Sequence, residues 1–355
     1  MGTPKEVKQG ECSRKKTKKR RAKKIKKQMT NFRVLYSNIN GLKSKVTSLL
    51  TIIEEQQPTV IALVETKLGQ TEDFEVPGYV TKKMNRDENG GGVMILVKEE
   101  LKNIIVEVDE KKEVGEAKWI SIDNGRNRIR LGILYAPQEN KTSVKKLKIM
   151  YRQLKEQIKK SKKENQEILL LGDFNCKVGK AVPGNTDEIS KGGKILMEMI
   201  DKLDLNLLNA KDECEGTWTR VENEKRSILD YVIMENEGSK LVKKMVIDER
   251  KEFTPFNETK QRDVYTDHNS IMVDINWNIR YQPGENMVTR INEKTNEEFR
   301  RRTEQAKLME MISGEGDTEE DYTKWSEAVR EIAEEVYVKK KKKIQQCPET
   351  SLTIV

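Results

Sequence analysis

A strand, a helix and a second strand follow one another between residues 32 and 64, and this unit limits the fold more than any other feature. Phe32–Ser37 is an apolar and aromatic run that is typical of a strand. After Gly41, apolar residues recur at helical spacing up to Pro58, and this apolar face consists of Leu42, Val46, Leu49, Leu50 and Ile53. Thr59–Val64 is nearly continuous in apolar residues, as expected for a buried strand. The unit predicts two strands joined by a helical crossover.

Further strands and helices continue this pattern as far as residue 277. The runs that we predict as strands are Gly91–Val97, Trp119–Ile122, Ile129–Tyr135, Ile168–Leu171, Ser227–Met234 and Ser270–Trp277. The turn-forming residues Asp123, Asn124 and Gly125 predict that the second and third runs pair. Residues 142–163 and 193–204 are predicted helices, the first of them rich in lysine. Crossover units mixed with antiparallel pairs predict an α/β layered sandwich.

The positive charge of the chain is concentrated in a tail at residues 1–30. This segment holds 13 Lys and Arg residues against two acids, so it carries +11 while the rest of the chain carries −2. We expect the tail to be disordered, because it has little to bury and its charges repel. One interpretation is a solvated tail, and the other is a nuclear-localisation or nucleic-acid-binding arm. The central basic cluster consists of Lys15, Lys16, Lys18, Lys19, Arg20 and Arg21.

Several other classes of protein are excluded by the composition. No apolar run approaches the ~20 residues of a membrane-spanning helix, and mean hydropathy is −0.79. The first residues are polar and then basic, so we expect no secretory signal there. The four cysteines are far apart and form no CxxC pair, so we expect reduced thiols in an intracellular protein. The expected location is nuclear if the tail directs it, and otherwise cytoplasmic.

The sequence divides into three parts. Residues 1–30 form the basic tail, residues 31–278 form the folded domain, and residues 279–355 form a charged helical linker or C-terminal appendage. Pro283 and Gly284 mark the break, and residues 290–337 are charged and helix-prone with few apolar positions.

Polar residues that could perform chemistry gather at the ends of the predicted strands. They are Asn38, Asn40, Glu65, Tyr135, Asp173, Asn175, Asp230, Asp267 and His268. Strand ends are where α/β folds place their sites, and carboxylates with amides suit an oxygen-ligated cation such as Mg²⁺. Each residue also has a plain interpretation: Glu65 as a solvated loop residue, Gly172–Asn175 as a turn, and His268 as a structural histidine.

The order of these residues resembles the exonuclease–endonuclease–phosphatase superfamily, which includes apurinic/apyrimidinic endonucleases and pancreatic-type deoxyribonucleases. The resemblance covers about residues 31–278 and depends on the motifs Ser37–Gly41, Val64–Thr66, Leu134–Pro137, Gly172–Asn175, Ser227–Tyr231 and Thr266–His268. It implies a deoxyribonuclease I-like fold, a four-layered α/β sandwich of two mixed β-sheets flanked by helices. The segment Gly172–Tyr231 is most similar to endonuclease domains of non-LTR retrotransposons and to craniofacial development protein 2-like sequences.

The resemblance also implies a metal site. Glu65 would bind Mg²⁺, with Mn²⁺ as an alternative, and Asn38 would lie near the metal. Asp267 would support the same site. Lys67, two residues after Glu65, is a candidate nucleic-acid contact.

The resemblance assigns five further residues to catalysis. Asp173 would orient or deprotonate the attacking water, and Asn175 would hydrogen-bond the scissile phosphate and its developing charge. His268 would contact the same phosphate, with Asp230 fixing its tautomer and orientation. Tyr135 would contact the phosphate or assist the leaving group.

Four positions differ from residues common in relatives. Ser37 replaces a frequent Trp, Asn40 stands where some apurinic/apyrimidinic enzymes have Asp, Val64 replaces a common Gln, and Gln138 replaces an occasional Asn. These differences weaken the case for abasic-site specificity and for a second metal without deciding either, and they leave the hydrolytic set intact.

The sequence therefore predicts a Mg²⁺-dependent phosphodiester hydrolase, a DNA-nicking endonuclease of retrotransposon origin that leaves 3′-hydroxyl ends. Its expected partners are DNA and, through the basic tail, element RNA. The alternatives are a catalytically silent binding module of the same fold, or a phosphatase or RNA deadenylase of the same superfamily. No reverse transcriptase follows the domain in this sequence, so we expect a truncated or domesticated fragment. Target sequence, preference for abasic or intact DNA, the number of metals and oligomeric state are not predicted.

Overall fold

A computed structural model gives the architecture of most of the chain. It describes residues 27–29, 31–85, 91–108, 116–123, 128–141, 143–258, 263–277, 279–281, 301–302, 305, 328–329, 331–332 and 338–340. The basic cluster Lys15, Lys16, Lys18, Lys19, Arg20 and Arg21, together with the expected turn residues Asn124 and Gly125, lies outside the described residues.

The described chain contains many short strands and few helices. The strands are β1 Lys27–Met29, β2 Phe32–Asn38, β3 Val60–Val64, β4 Glu72–Phe74, β5 Tyr79–Met84, β6 Val93–Lys98, β7 Ile105–Glu107, β8 Glu116–Asp123, β9 Arg128–Tyr135, β10 Glu167–Asp173, β11 Leu205–Leu207, β12 Cys214–Glu215, β13 Arg220–Glu222, β14 Lys225–Ser227, β15 Asp230–Glu235, β16 Val242–Ile247, β17 Phe256–Glu258, β18 Asp263–Tyr265, β19 Ile271–Ile275, β20 Ile279–Tyr281 and β21 Val338–Lys340. The α-helices are α1 Val46–Gln56, α2 Val144–Lys163, α3 Lys191–Leu203 and α4 Asn236–Ser239. Short 3-10 helices span Lys43–Lys45, Glu99–Ile104, Glu139–Lys141, Gly179–Ala181 and Leu208–Ala210.

One large sheet has seven strands, in the order β12-β16-β19-β2-β3-β6-β5. Strands β2 and β3 are parallel, with α1 as the crossover, so the strand–helix–strand unit expected from the sequence is confirmed. Their register places Asn38 opposite Val64, one residue before Glu65. The motifs Ser37–Gly41 and Val64–Thr66 therefore lie side by side.

The second large sheet has six strands, in the order β11-β15-β10-β9-β8-β7. Strands β8 and β9 pair antiparallel, as expected, and α2 is the crossover from β9 to its parallel neighbour β10. The register places Asp173 opposite Tyr135 on one side and opposite Asp230 on the other. Three of the residues singled out in the sequence thus lie at one edge of this sheet.

Three apolar cores separate four layers. The first lies between the two large sheets and includes Val34, Ala62, Leu131 and Leu171. The second lies under α2 and α3 on the outer face of the six-stranded sheet, and the third lies under α1 on the outer face of the seven-stranded sheet. This arrangement confirms the expected sandwich of two mixed sheets flanked by helices.

One expected strand is divided in two. The sequence predicted a continuous strand over Ser227–Met234, but β14 ends at Ser227 in a hairpin with β13, and β15 begins only at Asp230. The backbone N–H groups of Leu229 and Asp230 donate to the Thr219 hydroxyl at 3.0 and 3.1 Å, and the Leu229 carbonyl accepts from Phe174 at 2.9 Å. These bonds turn the chain between the two strands.

Strand pairs extend the body beyond the expected domain boundaries. Strand β1, which the sequence analysis placed in the tail, pairs with β20 just past residue 278. From the expected appendage, β21 pairs with β4, and Ile332 packs against the core under α1. Cys176 and Cys214 are free thiols. Among the described residues, no helix has the length and apolarity needed to cross a membrane.

Candidate active site

The strand ends of both sheets meet around the buried amide of Asn38. This side chain is 1% exposed and lies at the end of β2. Its Nδ2 donates to Glu65 Oε1 at 3.2 Å and to Asp173 Oδ2 at 3.1 Å, while its Oδ1 accepts from the Asn40 N–H at 3.2 Å. Asn38 therefore joins a carboxylate of the seven-stranded sheet to one of the six-stranded sheet, as a donor to both.

Glu65 is held in an unusual backbone conformation immediately after β3. Its φ is +54°, in the left-handed region that most side chains avoid, and Asn40 beside it has φ +45°. The Gly41 N–H donates to the Glu65 carbonyl at 2.8 Å, so the two loops fix each other. Lys67 Nζ lies 3.8 Å from the Glu65 carboxylate and hydrogen-bonds Asn40 Oδ1. The two loops thus hold Glu65 at the site with a lysine ammonium beside it.

His268 and Asp230 form a buried pair. His268 Nδ1 lies 2.8 Å from Asp230 Oδ2, and the other oxygen of Asp230 accepts from the Tyr36 hydroxyl at 2.6 Å. Burial favours the neutral imidazole, but the charge and hydrogen bond of Asp230 outweigh it and raise the pKa of His268 to about 9. The histidine is therefore an imidazolium at neutral pH, oriented by a carboxylate that is itself fixed.

Asp173 lies between this pair and Asn38. Its Oδ2 is 3.8 Å from His268 Nε2, and its Oδ1 accepts from the Asn175 N–H at 2.9 Å. Burial and then the negative charge of Asp230 raise the pKa of Asp173 to about 7, against the opposing effects of His268 and the Asn175 N–H. A carboxyl that titrates near neutral pH is suited to accept a proton during turnover.

Asn175 and Tyr135 complete the set at the same edge. Asn175 has φ +47°, and its Nδ2 donates to the Ala136 carbonyl at 2.8 Å, which ties the loops after β9 and β10 together. The half-buried Tyr135 side chain lies beside the Glu65 carboxylate. Burial and then the charge of Glu65 raise the pKa of Tyr135, so it stays a neutral donor.

Asp267 forms an ion pair with Arg220. Its Oδ2 accepts from Arg220 Nε at 2.6 Å. Burial opposes its ionisation, but the positive charges of His268 and Arg220 outweigh burial and lower the pKa of Asp267. In the structure Asp267 ties the β13–β14 hairpin to the His268 strand end, and its expected support of the metal site stays a prediction.

The carboxylates of the site fit a divalent metal. Asp173 and Asp230 offer carboxylate oxygens that lie, with the His268 ring, within 4.8 Å of one another, and Glu65 lies on the other side of the Asn38 amide. The set is rich in hard oxygen donors and contains no thiolate, as Mg²⁺ and similar cations require. Burial and then the negative charge of Asp230 raise the pKa of Asp173, and a bound cation would offset that charge.

Sequence reasoning missed three residues that support the site. Tyr36 was treated only as part of the first strand. Strand alternation nevertheless places it on the same face as Asn38, two residues later. Thr219 orients the chain at Asp230, as described above. Lys251 donates to the backbone carbonyls of Thr266 and His268 at 3.2 and 3.0 Å. Only Tyr36 had a signal in the sequence, and the other two residues act through side-chain to backbone bonds across loops, which no sequence pattern marked.

A protein-family comparison decides the family. The model of the endonuclease/exonuclease/phosphatase family matches residues 35–268, which is well over half of the chain and includes each residue discussed above. The chain belongs to this family. No curated protein matches the sequence significantly.

Solved structures of this family share the fold. The endonuclease domain of TRAS1, a telomere-specific non-LTR retrotransposon, matches with a TM-score of 0.50 at 17% identity over 69% of this chain and 98% of that chain. The AP endonuclease LMAP from Leishmania major gives 0.54 at 12% identity, over 70% and 88% of the two chains. The 3′-5′ exonuclease NExo from Neisseria meningitidis gives 0.51 at 15% identity, over 69% and 100%. At such identities these matches establish the fold alone.

Proposed function

We propose that this family member is a Mg²⁺-dependent endonuclease that nicks DNA and leaves 3′-hydroxyl ends, and that it derives from a retrotransposon. The observation that carries the proposal is the oriented set at one edge of the sandwich: Asp173 opposite the Asp230–His268 pair, with Glu65 across the Asn38 amide. These groups supply the three needs of phosphodiester hydrolysis, which are charge neutralisation, an aligned water and help for the leaving oxygen.

Asp173 acts on the attacking water. Its carboxyl titrates near neutral pH, so it can take a proton at Oδ1 or Oδ2 without a large energetic penalty. The Asn175 N–H and the Asn38 amide fix the two oxygens separately, and this fixes the direction from which water is held. The attack is therefore aligned before substrate binds.

His268 acts on the phosphate. The imidazolium places a positive charge and the Nε2–H beside the position of the substrate, where they stabilise the charge that develops on phosphate oxygens. Asp230 and Tyr36 keep the ring from rotating. Tyr135 remains protonated and can donate to the phosphate or to the leaving oxygen.

Glu65 would hold the metal, supported by the fixed loop at Asn40 and Gly41. The bound cation would neutralise non-bridging oxygens of the phosphate. Asn38 keeps the Glu65 and Asp173 carboxylates in fixed positions and lowers their mutual repulsion by donating to both. Mn²⁺ is the natural substitute, because it accepts the same oxygen donors.

DNA is the proposed substrate because proteins that share the fold act on DNA. They include the TRAS1 retrotransposon endonuclease, AP endonucleases, and a 3′ phosphatase solved with a product DNA hairpin. The basic tail supports nucleic acid as the partner and nuclear location, because lysine clusters attract phosphate without needing structure. Contact of the tail with element RNA is part of the same proposal.

A plasmid-nicking experiment tests the proposal. Purified wild-type protein with Mg²⁺ should convert supercoiled plasmid to the open circle, and Glu65→Ala, Asp173→Asn and His268→Ala should each lose at least about 100-fold in rate. Asp201→Asn, on the exposed face of α3, is the matched control and should nick like the wild type. A DNA polymerase should extend the nicks directly if the ends are 3′-hydroxyls. Equal nicking by the wild type and the three site variants would contradict the proposal and favour a catalytically silent binding module of the same fold.

A further inference from the structure

Helix α2 carries an exceptional concentration of positive charge. Its 20 residues hold nine Lys and Arg side chains and a single acid, Glu156, although the chain from residue 31 onward is net negative. Six of the nine recur at intervals of three or four residues and therefore form one stripe along the helix. This basic stripe consists of Lys145, Lys148, Arg152, Lys155, Lys159 and Lys163.

The stripe faces solvent. The opposite side of α2 is apolar and packs onto the six-stranded sheet through Met150, Leu154 and Ile158, each at most 3% exposed. Five members of the basic stripe are exposed and Lys155 is half-exposed. The stripe is therefore available to a partner along its whole length.

The charges of the stripe are not neutralised by the described part of the protein. Among the described residues, Lys162 pairs with Glu235 at 3.1 Å, and it lies outside the stripe. Like charges three or four residues apart destabilise a helix by a few tenths of a kcal/mol per pair. The arrangement thus costs stability in the free protein, and a polyanion would relieve this cost.

The position of α2 connects the stripe to the candidate active site. Strands β9 and β10 both end at the site, and α2 is the crossover between them, so it starts near the site and runs toward the opposite edge. From residue 145 to residue 163 a helix rises about 27 Å, which is close to one turn of B-DNA at about 34 Å.

We propose that the basic stripe of α2 is a docking surface for duplex DNA beyond the scissile phosphate. Five of its six cations are lysines, which act as point charges and suit phosphates rather than base edges. The helix offers no exposed aromatic on which bases of a single strand could stack, because its Tyr151 is 3% exposed. The proposal rests on DNA being the substrate and adds a second, sequence-independent contact.

Salt-dependent binding tests the docking surface. The full chain is titrated against a fluorescent 30-base-pair duplex in EDTA at several salt concentrations, so that binding is measured without cleavage. The triple variant Lys148→Gln, Lys155→Gln and Lys159→Gln should reduce the slope of log affinity against log salt by about 2 to 3, since each lost phosphate contact removes roughly 0.9. Its Kd at moderate salt should rise at least about tenfold.

The matched control removes the same charge elsewhere. Lys240, Lys243 and Lys244 are exposed at the edge of the sandwich opposite the site, and their triple change to Gln should leave the slope and Kd within twofold of the wild type. An equal loss of DNA affinity in both triple variants, or no loss in the α2 variant, would overturn the docking surface. The same titration is repeated with duplex RNA, and a loss of affinity confined to the RNA would overturn it too.

The same assay separates this inference from the nuclease proposal. The α2 changes are repeated in the Glu65→Ala background, where binding is measured independently of nicking. A reduced slope there supports the docking surface even if the wild type proves unable to nick. Conversely, nicking with an unchanged slope supports the nuclease and overturns the docking surface. At saturating DNA the α2 variant should keep the nicking rate of the wild type, because the stripe touches no reacting atom.

Discussion

At the scale of single residues, Asp230 is the centre of the site. It is fully buried and accepts hydrogen bonds from both Tyr36 and His268. A buried carboxylate without partners would be very costly, so these donors both stabilise it and are oriented by it. The protonation state of His268 therefore reports directly on its contact with Asp230.

The single histidine of the chain makes this relation measurable. Its ring protons should titrate near pH 9 by NMR in the wild type, because Asp230 raises the pKa of His268 to about 9. In Asp230→Asn the pKa of His268 obtained from the same titration should fall below 7. Burial lowers this pKa, and the variant lacks the carboxylate charge that opposes burial. Asp201→Asn is the control, and an unchanged titration in Asp230→Asn would contradict the assignment.

The same pair should govern stability against pH. The folded pKa of His268 lies above its unfolded value of about 6.5, so its contribution is complete below pH 6.5 and is lost as pH rises toward 9. Asp230→Asn should therefore be most destabilising near pH 6, with on the order of 3 kcal/mol of that deficit disappearing by pH 9.5. Urea unfolding at the two pH values measures the difference, and a deficit that grows with pH would refute it.

Lys251 illustrates how a residue outside the site positions a catalytic one. Its ammonium holds the carbonyls of Thr266 and His268, so Lys251→Met should lower the nicking rate roughly tenfold by displacing the imidazole. The KM for DNA should change little, and the pKa of His268 by NMR should shift. Lys243→Met is the control. A rise in KM with an unchanged rate and an unchanged pKa would assign Lys251 to DNA binding instead.

At the scale of elements, β10 shows what the sequence could and could not predict. The apolar run Ile168–Leu171 predicted the strand, and the polar residues after it predicted the site edge. Gly172 was expected to stop the strand, yet β10 continues through it to Asp173. A Cβ at Gly172 would lie 2.3 Å from the Leu134 carbonyl oxygen of β9, so the glycine is there for close strand contact.

Gly172→Ala should therefore destabilise the protein by about 1–3 kcal/mol, because the neighbouring backbone cannot move away from the added methyl group. Gly69→Ala is the matched control, since its Cβ would meet only ordinary contacts with the Glu72 side chain, the nearest at 3.6 Å. Equilibrium urea unfolding compares the two. Equal stability of both variants would show that β9 and β10 can separate without cost.

At the scale of the whole molecule, the sequence predicted the residues of the site better than their contacts. Local patterns identify a strand and the polar residue that ends it, so Glu65, Asp173 and Asp230 could be found. The Asn38–Asp173 bond joins residues 135 positions apart, on different sheets, and only the packing of the two sheets brings them together. Thr219 and Lys251 contact partners only 10 to 17 positions along the chain, but no spacing in the sequence marks these contacts.

The positive charge of the molecule lies in the tail, whereas the rest of the chain is slightly negative. The tail can be removed without cutting the folded body. Strand β1 starts at Lys27, so deletion of residues 1–26 leaves the β1–β20 pair intact. The deletion should weaken DNA binding and flatten its salt dependence, while the nicking rate at saturating DNA stays within twofold of the wild type. An unchanged salt slope, together with an unchanged distribution between nucleus and cytoplasm, would leave the tail without the proposed role.

The pairing of β1 with β20 has a practical consequence. Lys27 lies directly opposite Tyr281, so the two ends of the sandwich are neighbours. A short glycine-rich connection can therefore join them, and new termini can be opened in an exposed loop without stretching the chain. Circular permutation of residues 27–281 would then carry the catalytic edge on a backbone without the tail, at the loss of the β21–β4 pair and the Ile332 contact.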